Sequence, residues 1–452
     1  RLKMQFNAFH DSLTGLNNRH SFVTYLQLAI ERSGERKKGE IAVLFIDTDG
    51  FKEVNDTLGH VQGDNVLRVI AKRLSRASRL VNIAKGLGVS KDRIKLSLNR
   101  IGGDEFAIVI EGYNPQKEAD LVAMSLIDEM KEAFIVDHQV YHLGISIGVS
   151  VFPKDGENVN TLLKRADIAM YKAKADGGNR YQFYDPALEQ SAIERHQMEI
   201  ELRKALEEQQ FCLFYQPQFD AQSGELVGSE ALIRWKHPER GMVPPGLFIS
   251  HAEENGLIVR IGEWALEEAC RQNKVWQDAG LMPVKVAVNF STVQFNRMDD
   301  IVSMITSKLE KTGLDAIYLD VEITETGIMQ SGDVGLDVLH EIKAVGVQLS
   351  MDDFGTGYSS LSSLRDMPID TLKIDKSFVD DINTGANGQA IIKAIMALAK
   401  QLGLKVVAEG VEEESQLEFL KQNDCETIQG YLLGRPLPAE ELEAVLQQHT
   451  YQ

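Results

Sequence analysis

Val347-Gln348-Leu349-Ser350-Met351-Asp352-Asp353-Phe354-Gly355-Thr356-Gly357 carries three signals in one short stretch. The apolar run follows a helical pattern and is β-branched at Val347, so it reads as a buried strand. Two carboxylates end it. Gly355 and Gly357 then let backbone approach another group closely. Neighbours on a strand point to opposite faces. Where pairing stops, however, both acids can turn toward one site, as a two-metal centre with ions about 3.5–4 Å apart requires. Alone, the stretch reads more readily as a solvated Asp-Asp turn, because turns favour Asp and Gly. Its surroundings decide.

The same grammar, a strand that ends in a polar group, recurs through the second half. Strands are expected over residues 211–216, 226–233, 284–290, 318–323, 347–352, 371–375, 404–409 and 426–429, with helical patterns between them. That alternation argues for βα units and a parallel sheet. About eight strands in roughly 250 residues predict a TIM-type (β/α)8 barrel. Glu230, Asn289, Glu322, Asp352, Lys373, Asp375, Glu409 and Gln429 all fall late in these strands. Barrel sites gather at the C-terminal strand ends, so these groups should converge. Each one alone fits a cap or an interior salt bridge, but together they bring more carboxylates than a core packs without cations. Asp352-Asp353-Phe354-Gly355 is no kinase loop, since no His-Arg-Asp segment accompanies it, and the glycines lack the Gly-Lys-Ser/Thr ending of a P-loop.

In the first half, Asp11-Ser12-Leu13-Thr14-Gly15-Leu16-Asn17-Asn18-Arg19 reads as a capped turn leading into an amphipathic helix through about residue 31. Residues 41–46 form an almost unbroken apolar strand ending in Asp47, followed by Thr48, Gly50, Phe51 and Lys52. An acid there, with backbone N–H groups and an ammonium behind it, suits Mg²⁺ and a triphosphate. Its companion is Arg100-Ile101-Gly102-Gly103-Asp104-Glu105-Phe106, a tight turn holding two acids with an alternating strand after it.

With 452 residues the chain has room for two or three domains. A formal net charge of -19 argues against a polymeric nucleic-acid partner, while a small phosphorylated ligand held through metal ions stays compatible. Cys212, Cys270 and Cys425 are far apart and form no Cys-x-x-Cys unit, which fits a reducing cytosol. No run approaches the ~18 apolar residues of a membrane span. The opening Arg1-Leu2-Lys3-Met4-Gln5-Phe6-Asn7-Ala8-Phe9 looks like the tail of an incoming helix, so a longer parent chain is expected, with an upstream sensor and a possible membrane anchor.

Gly102 to Phe106 resemble the GGDEF signature of diguanylate cyclases, and the stretches around Asp11, Asp47, Gly63-Asp64 and Ala166-Asp167 through Lys174 follow in that family's order. The resemblance implies an α/β palm of the nucleotide-cyclase kind. It places Asp47, the Thr48 carbonyl and Asp104 at Mg²⁺ with Glu105 beside them, Phe51, Lys52 and Lys174 at the triphosphate, and Asn55 and Asp64 at guanine. Two positions depart from the pattern. The product-inhibition motif Arg-x-x-Asp lacks its acid at Arg93-Ile94-Lys95-Leu96, and also at Arg79-Leu80-Val81-Asn82 if residues 85–97 hold an insertion. Gly178 stands where a basic residue is usual, which should weaken GTP binding by about 1–2 kcal/mol.

The second half resembles the EAL family of cyclic-di-GMP phosphodiesterases. Glu230-Ala231-Leu232, Val288-Asn289-Phe290-Ser291, Asp320-Val321-Glu322, Asp352-Asp353-Phe354-Gly355, Leu372-Lys373-Ile374-Asp375, Ala408-Glu409-Gly410-Val411-Glu412 and Gln429-Gly430-Tyr431 match in order. The resemblance assigns Glu230, Asn289, Glu322 and Asp352 to one Mg²⁺ or Mn²⁺, and Asp352, Asp353 and Glu409 to a second ion or its water. Lys373 and Gln429 would hold water or phosphate, Gln216, Arg234 and Asp375 would contact the dinucleotide, and Glu325 would steady the Asp-Phe-Gly loop. The expected domains are 1–185 (GGDEF), a hinge over 186–197, and 198–452 (EAL). Three functional readings stay open: a phosphodiesterase regulated by GTP, a two-way enzyme whose synthesis needs a homodimer, and a silent receptor for cyclic-di-GMP.

Overall fold

Residues 41–46 are apolar without interruption because both faces of their strand are covered. In the computed structural model, which describes residues 8–36, 40–83, 95–112, 114–136, 139–295, 301–330, 332–355, 361–383 and 386–450, this strand is β1 (Glu40–Thr48). Ala42, Leu44 and Ile46 face a core shared with helices His60–Ile83 and Pro115–Met130. Ile41, Val43 and Phe45 face another, shared with helices Arg19–Arg36 and Val159–Ala175. The period of two along a strand produces that division.

The N-terminal unit (Arg1–Glu194) is built on this strand. Its partners are β2 (Lys95–Gly102), β3 (Glu105–Gly112), β6 (Ile145–Phe152) and β7 (Arg180–Phe183), in the order β2-β3-β1-β6-β7; β4 (Phe134–Val136) and β5 (Gln139–Tyr141) pair separately. β1 runs antiparallel to β3 and β6, and its register sets Asp47 beside Glu105. The turn between β2 and β3 is gripped by Arg100, whose Nε and Nη2 donate to Gly103 O at 3.1 and 2.7 Å. Residues 84–94, most of the stretch read as an insertion, lie outside the described residues, as does the opening segment up to residue 7.

Helix Pro186–Glu207 spans the stretch read as a hinge. Pro186 occupies its first turn, where a missing N–H costs no hydrogen bond. Met198, Leu202, Ala205 and Leu206 form its buried face against Phe211, Trp235 and Phe248, and Arg203 pairs with Glu199 at 2.8 Å. The division between the two units falls inside this helix, at Glu194/Arg195.

The C-terminal unit (Arg195–Gln452) closes eight strands into a ring: β8 (Phe211–Asp220), β9 (Leu226–His237), β11 (Lys285–Phe290), β12 (Leu319–Thr324), β13 (Gln348–Phe354), β14 (Thr371–Ile374), β15 (Lys405–Ala408) and β16 (Thr427–Ile428). Short β10 (Gly241–Val243) and β17 (Leu437–Pro438) extend β9 and β8. The parallel sheet expected from the sequence needs one correction: β8 runs antiparallel to both β9 and β16. Only residues 221–225 join β8 to β9, too short a link for the crossover that parallel neighbours need. Leu319, Val321 and Ile323 pack into the large apolar core, whereas Asp320, Glu322 and Thr324 alternate with them on the opposite face. Among the described residues, no helix is long and apolar enough to cross a membrane.

Candidate active site

At the C-terminal strand ends of the barrel, one ammonium sits among four carboxylates. Lys373, on β14 and only 1 % exposed, places Nζ 2.6 Å from Glu322 Oε2, 2.5 Å from Glu409 Oε1, 3.5 Å from Asp352 Oδ1 and 3.6 Å from Glu230 Oε2. Register brings these groups together: Glu322 pairs with Asn289 of β11, Thr324 with Asp352, and Ala287 with Glu230. Asn289 Nδ2 and Gln429 Nε2 each donate to Glu230 at 2.6 Å. Asn289 is exposed, so the cluster opens to solvent on that side.

The pairing of β13 is broken by a bulge at its acidic end. The β13–β14 register slips between Met351 and Phe354, and Asp353 takes a left-handed φ of 54°, which Asp tolerates better than most residues. Asp353 N donates to Asp352 Oδ1 at 2.9 Å. Next, Gly355 at φ 98° donates its N–H to Glu325 Oε2 at 2.9 Å, and a Cβ there would lie 2.9 Å from the Phe378 ring. Gly355→Ala is therefore expected to cost about 1–3 kcal/mol in local strain, read as a lower melting temperature. Residues 356–360, which include Thr356 and Gly357 of the Asp-Asp-Phe-Gly-Thr-Gly stretch, lie outside the described residues.

The charges do not balance, and the carboxyls respond. Burial, with too little help from Lys373, pushes Glu322 well above the usual range; burial also pushes Glu409 up to about 8 and raises Asp353 beside Asp352. Lys373 loses by burial but gains more from Glu230, Glu322, Glu409 and Asp352, and stays protonated. Glu409 Oε1 is buried and touches that ammonium without accepting a well-formed hydrogen bond. A set of hard oxygen donors holding more negative charge than one lysine neutralises suits divalent cations. Among the described residues, no three acidic or imidazole groups stand at metal-holding spacing, since the acids converge on Lys373 instead.

Other expected contacts take more local roles. Gln216 is buried, donates to Gly434 O at 3.2 Å and accepts from Gln429 at 3.2 Å, so its amide is used within the protein. Asp375 caps helix Lys376–Asp380 by accepting from Ser377 N at 3.0 Å. Arg234 is half-buried, with its guanidinium over the Phe214 ring at 5.6 Å. Gln218, not picked out in the sequence, donates to Gln429 Oε1 at 2.8 Å; its only signal was its place two residues after Gln216 on the same strand face.

A second acidic cluster lies in the N-terminal unit. Lys174 Nζ lies 2.6 Å from Asp47 Oδ1, and Thr48 Oγ1 donates to Asp104 O at 3.3 Å. Burial and then neighbouring acids raise the carboxyls of Asp104, Glu105 and Asp167. Asp167 and Asp49 were missed as site residues; Asp49 accepts from Ser146 Oγ and Asn179 N at 2.7 and 2.8 Å. Phe51 is 7 % exposed and belongs to the core, so only its backbone is offered to a ligand, while Lys52 and Asp64 are exposed. Asn55 lies against Gly63, next to Asp64.

Residues 199–436 match the EAL domain, and residues 8–180 match the diguanylate cyclase GGDEF domain. The chain belongs to the tandem GGDEF–EAL family. Its relatives include MucR of Pseudomonas aeruginosa, a bifunctional diguanylate cyclase/cyclic di-GMP phosphodiesterase, 41% identical over 97% of this chain and 61% of that protein. The cyclic di-GMP phosphodiesterase PdeR of Escherichia coli is 35% identical over 98% of this chain and 64% of its own length. This GGDEF–EAL chain thus spans less than two thirds of these relatives. A solved structure of the PaMucR phosphodiesterase in complex with c-di-GMP is 46% identical, with a TM-score of 0.53 over 54% of this chain and 99% of that one.

Proposed function

We propose that the barrel hydrolyses cyclic-di-GMP to linear pGpG. The observation that carries this is the cluster of Glu230, Glu322, Asp352 and Glu409 around Lys373 at the strand ends. Relatives named for cyclic di-GMP hydrolysis support it. Glu230, Asn289, Glu322 and Asp352 would hold one Mg²⁺ or Mn²⁺, and Asp352, Asp353 and Glu409 the other. Bound there, such a pair supplies Lewis acidity at the phosphodiester and an acidified water for in-line attack. Lys373 would offer its ammonium to the phosphate, Gln429 would hold Glu230 in place, Arg234 would offer its guanidinium to the dinucleotide, and Glu325 would keep the loop after Asp353 in place.

The GGDEF domain, Asp47 with Asp104, Glu105 and Lys174, would bind GTP with Mg²⁺ and regulate the barrel through the 186–197 segment, in the cytosol and under an upstream sensor. Cyclic-di-GMP levels of this kind bear on biofilm and motility. A second reading, synthesis from two GTP by a homodimer, is favoured by the acidic cluster at Asp47, Asp104 and Glu105 and by the bifunctional relative. Time courses with GTP alone and cyclic-di-GMP alone, in Mg²⁺ and in Mn²⁺, test both. Accumulation of cyclic-di-GMP with none consumed would overturn the hydrolytic reading. Asp104→Ala is expected to leave basal hydrolysis standing and to remove only stimulation by GTP, measured as pGpG release with and without GTP.

A further inference from the structure

A buried carboxamide offers an oxygen and an NH₂ of nearly equal size, so its direction is set by its neighbours. At Gln429 the oxygen accepts from Gln218 Nε2 at 2.8 Å, while the nitrogen donates to Glu230 Oε2 at 2.6 Å and Gln216 Oε1 at 3.2 Å. Reversed, the amide would set its oxygen against the Glu230 carboxylate and its NH₂ against the Gln218 nitrogen. Both contacts would repel in a site with little water.

Gln216 and Gln218 lie two apart on β8 and share a face, so each addresses one end of the Gln429 amide. The register sets Gln216 opposite Glu230 and Gln218 opposite Gly228. Space for the longer side chain comes from that glycine, because a Cβ at Gly228 would lie 2.7 Å from Gln218 Oε1. Gln218 itself is 9 % exposed.

We infer that Gln218 is a positioning residue, which fixes the direction of the Gln429 amide and through it the seat of Glu230 in the hydrolytic site. The inference rests on the barrel's hydrolysing cyclic-di-GMP. Gln218→Leu removes the donor at similar size. Gln218→Glu puts an acceptor where a donor is needed, and Gly228→Ala presses on the amide from the far side.

The test measures kcat, KM for cyclic-di-GMP, the Mn²⁺ concentration at half-maximal rate, and melting temperature, all on the whole chain. Gln218→Leu is expected to lower kcat or raise the Mn²⁺ midpoint by roughly 10–100-fold, the scale for partners that orient metal ligands, with KM and melting temperature little changed. Gly228→Ala should shift the same quantities less. Gln218→Glu should lose most and recover toward the Gln218→Leu level as pH falls and the introduced carboxyl gains a proton to donate. If wild-type protein hydrolyses cyclic-di-GMP and Gln218→Leu matches it in kcat and Mn²⁺ midpoint, the positioning role is wrong. A lowered melting temperature with kinetics intact overturns it equally. Wild-type protein that leaves cyclic-di-GMP intact overturns the hydrolytic reading, and the inference with it.

Discussion

Asp352→Asn is expected to abolish cyclic-di-GMP hydrolysis, lowering kcat by on the order of 10³-fold, which corresponds to about 4 kcal/mol of lost transition-state stabilisation. Asn keeps the shape of the side chain and can still accept from Asp353 N, a bond of 2.9 Å in the native protein. What goes is a carboxylate at the bulge of β13, 3.5 Å from the Lys373 ammonium. No neighbour can replace it: Glu322 and Glu409 already carry carboxyls that burial drives toward the neutral form. Pre-steady-state and steady-state assays in saturating Mn²⁺, with circular dichroism as a check of folding, measure the loss. Turnover near the wild-type rate would remove the two-metal account.

Lys373→Met should have its largest effect on the metal-free protein. Removing one partner from a buried ionic cluster costs about 3–5 kcal/mol, which for a domain of this size is a fall in melting temperature of roughly 10 °C. The loss should shrink when Mn²⁺ is added, since divalent charge replaces the ammonium among Glu230, Glu322, Asp352 and Glu409. Thermal melts in EDTA and in Mn²⁺ test this, and equal melting temperatures for variant and wild type in EDTA would refute it. The wild-type protein carries a related pH signature. Glu409 is raised above its unfolded value, so its contribution to stability is complete below the ordinary carboxylate range and is lost as pH rises through about 8. Metal-free protein should therefore weaken across that window, and Mn²⁺ should flatten the decline.

The strands and the residues at their ends were legible because an apolar run closing on an acid is a local pattern, as at Asp47 and Asp352. Their convergence was legible only by counting: eight strands in one unit, most with a polar group late in the run, make a ring. Three things were not. The reversed direction of β8 depends on the length of a single connection rather than on the strand's own residues. The bulge at Asp353 depends on pairing with β14, which the stretch itself does not encode. Roles set by partners were hidden as well: Asp375 became a helix cap, Phe51 went into the core, and Gln218 entered the site from the strand next to β16. A side chain's identity states what it can do, and its neighbours decide which of those things it does.

The reversed β8 has a mechanical corollary. In an all-parallel barrel the chain enters at the floor, a full strand length from the chemistry. Here Phe211, the first residue of β8, pairs with Trp235 near the end of β9, so the entering chain arrives at the rim that carries the acids. Helix Pro186–Glu207 ends four residues before that point, with Leu202 and Ala205 packed against Phe211 and Trp235. Phe211 stands five residues along β8 from the Gln216–Glu230 pair, roughly 17 Å, so whatever this helix carries reaches the acids from the lip of the cup, not from its base.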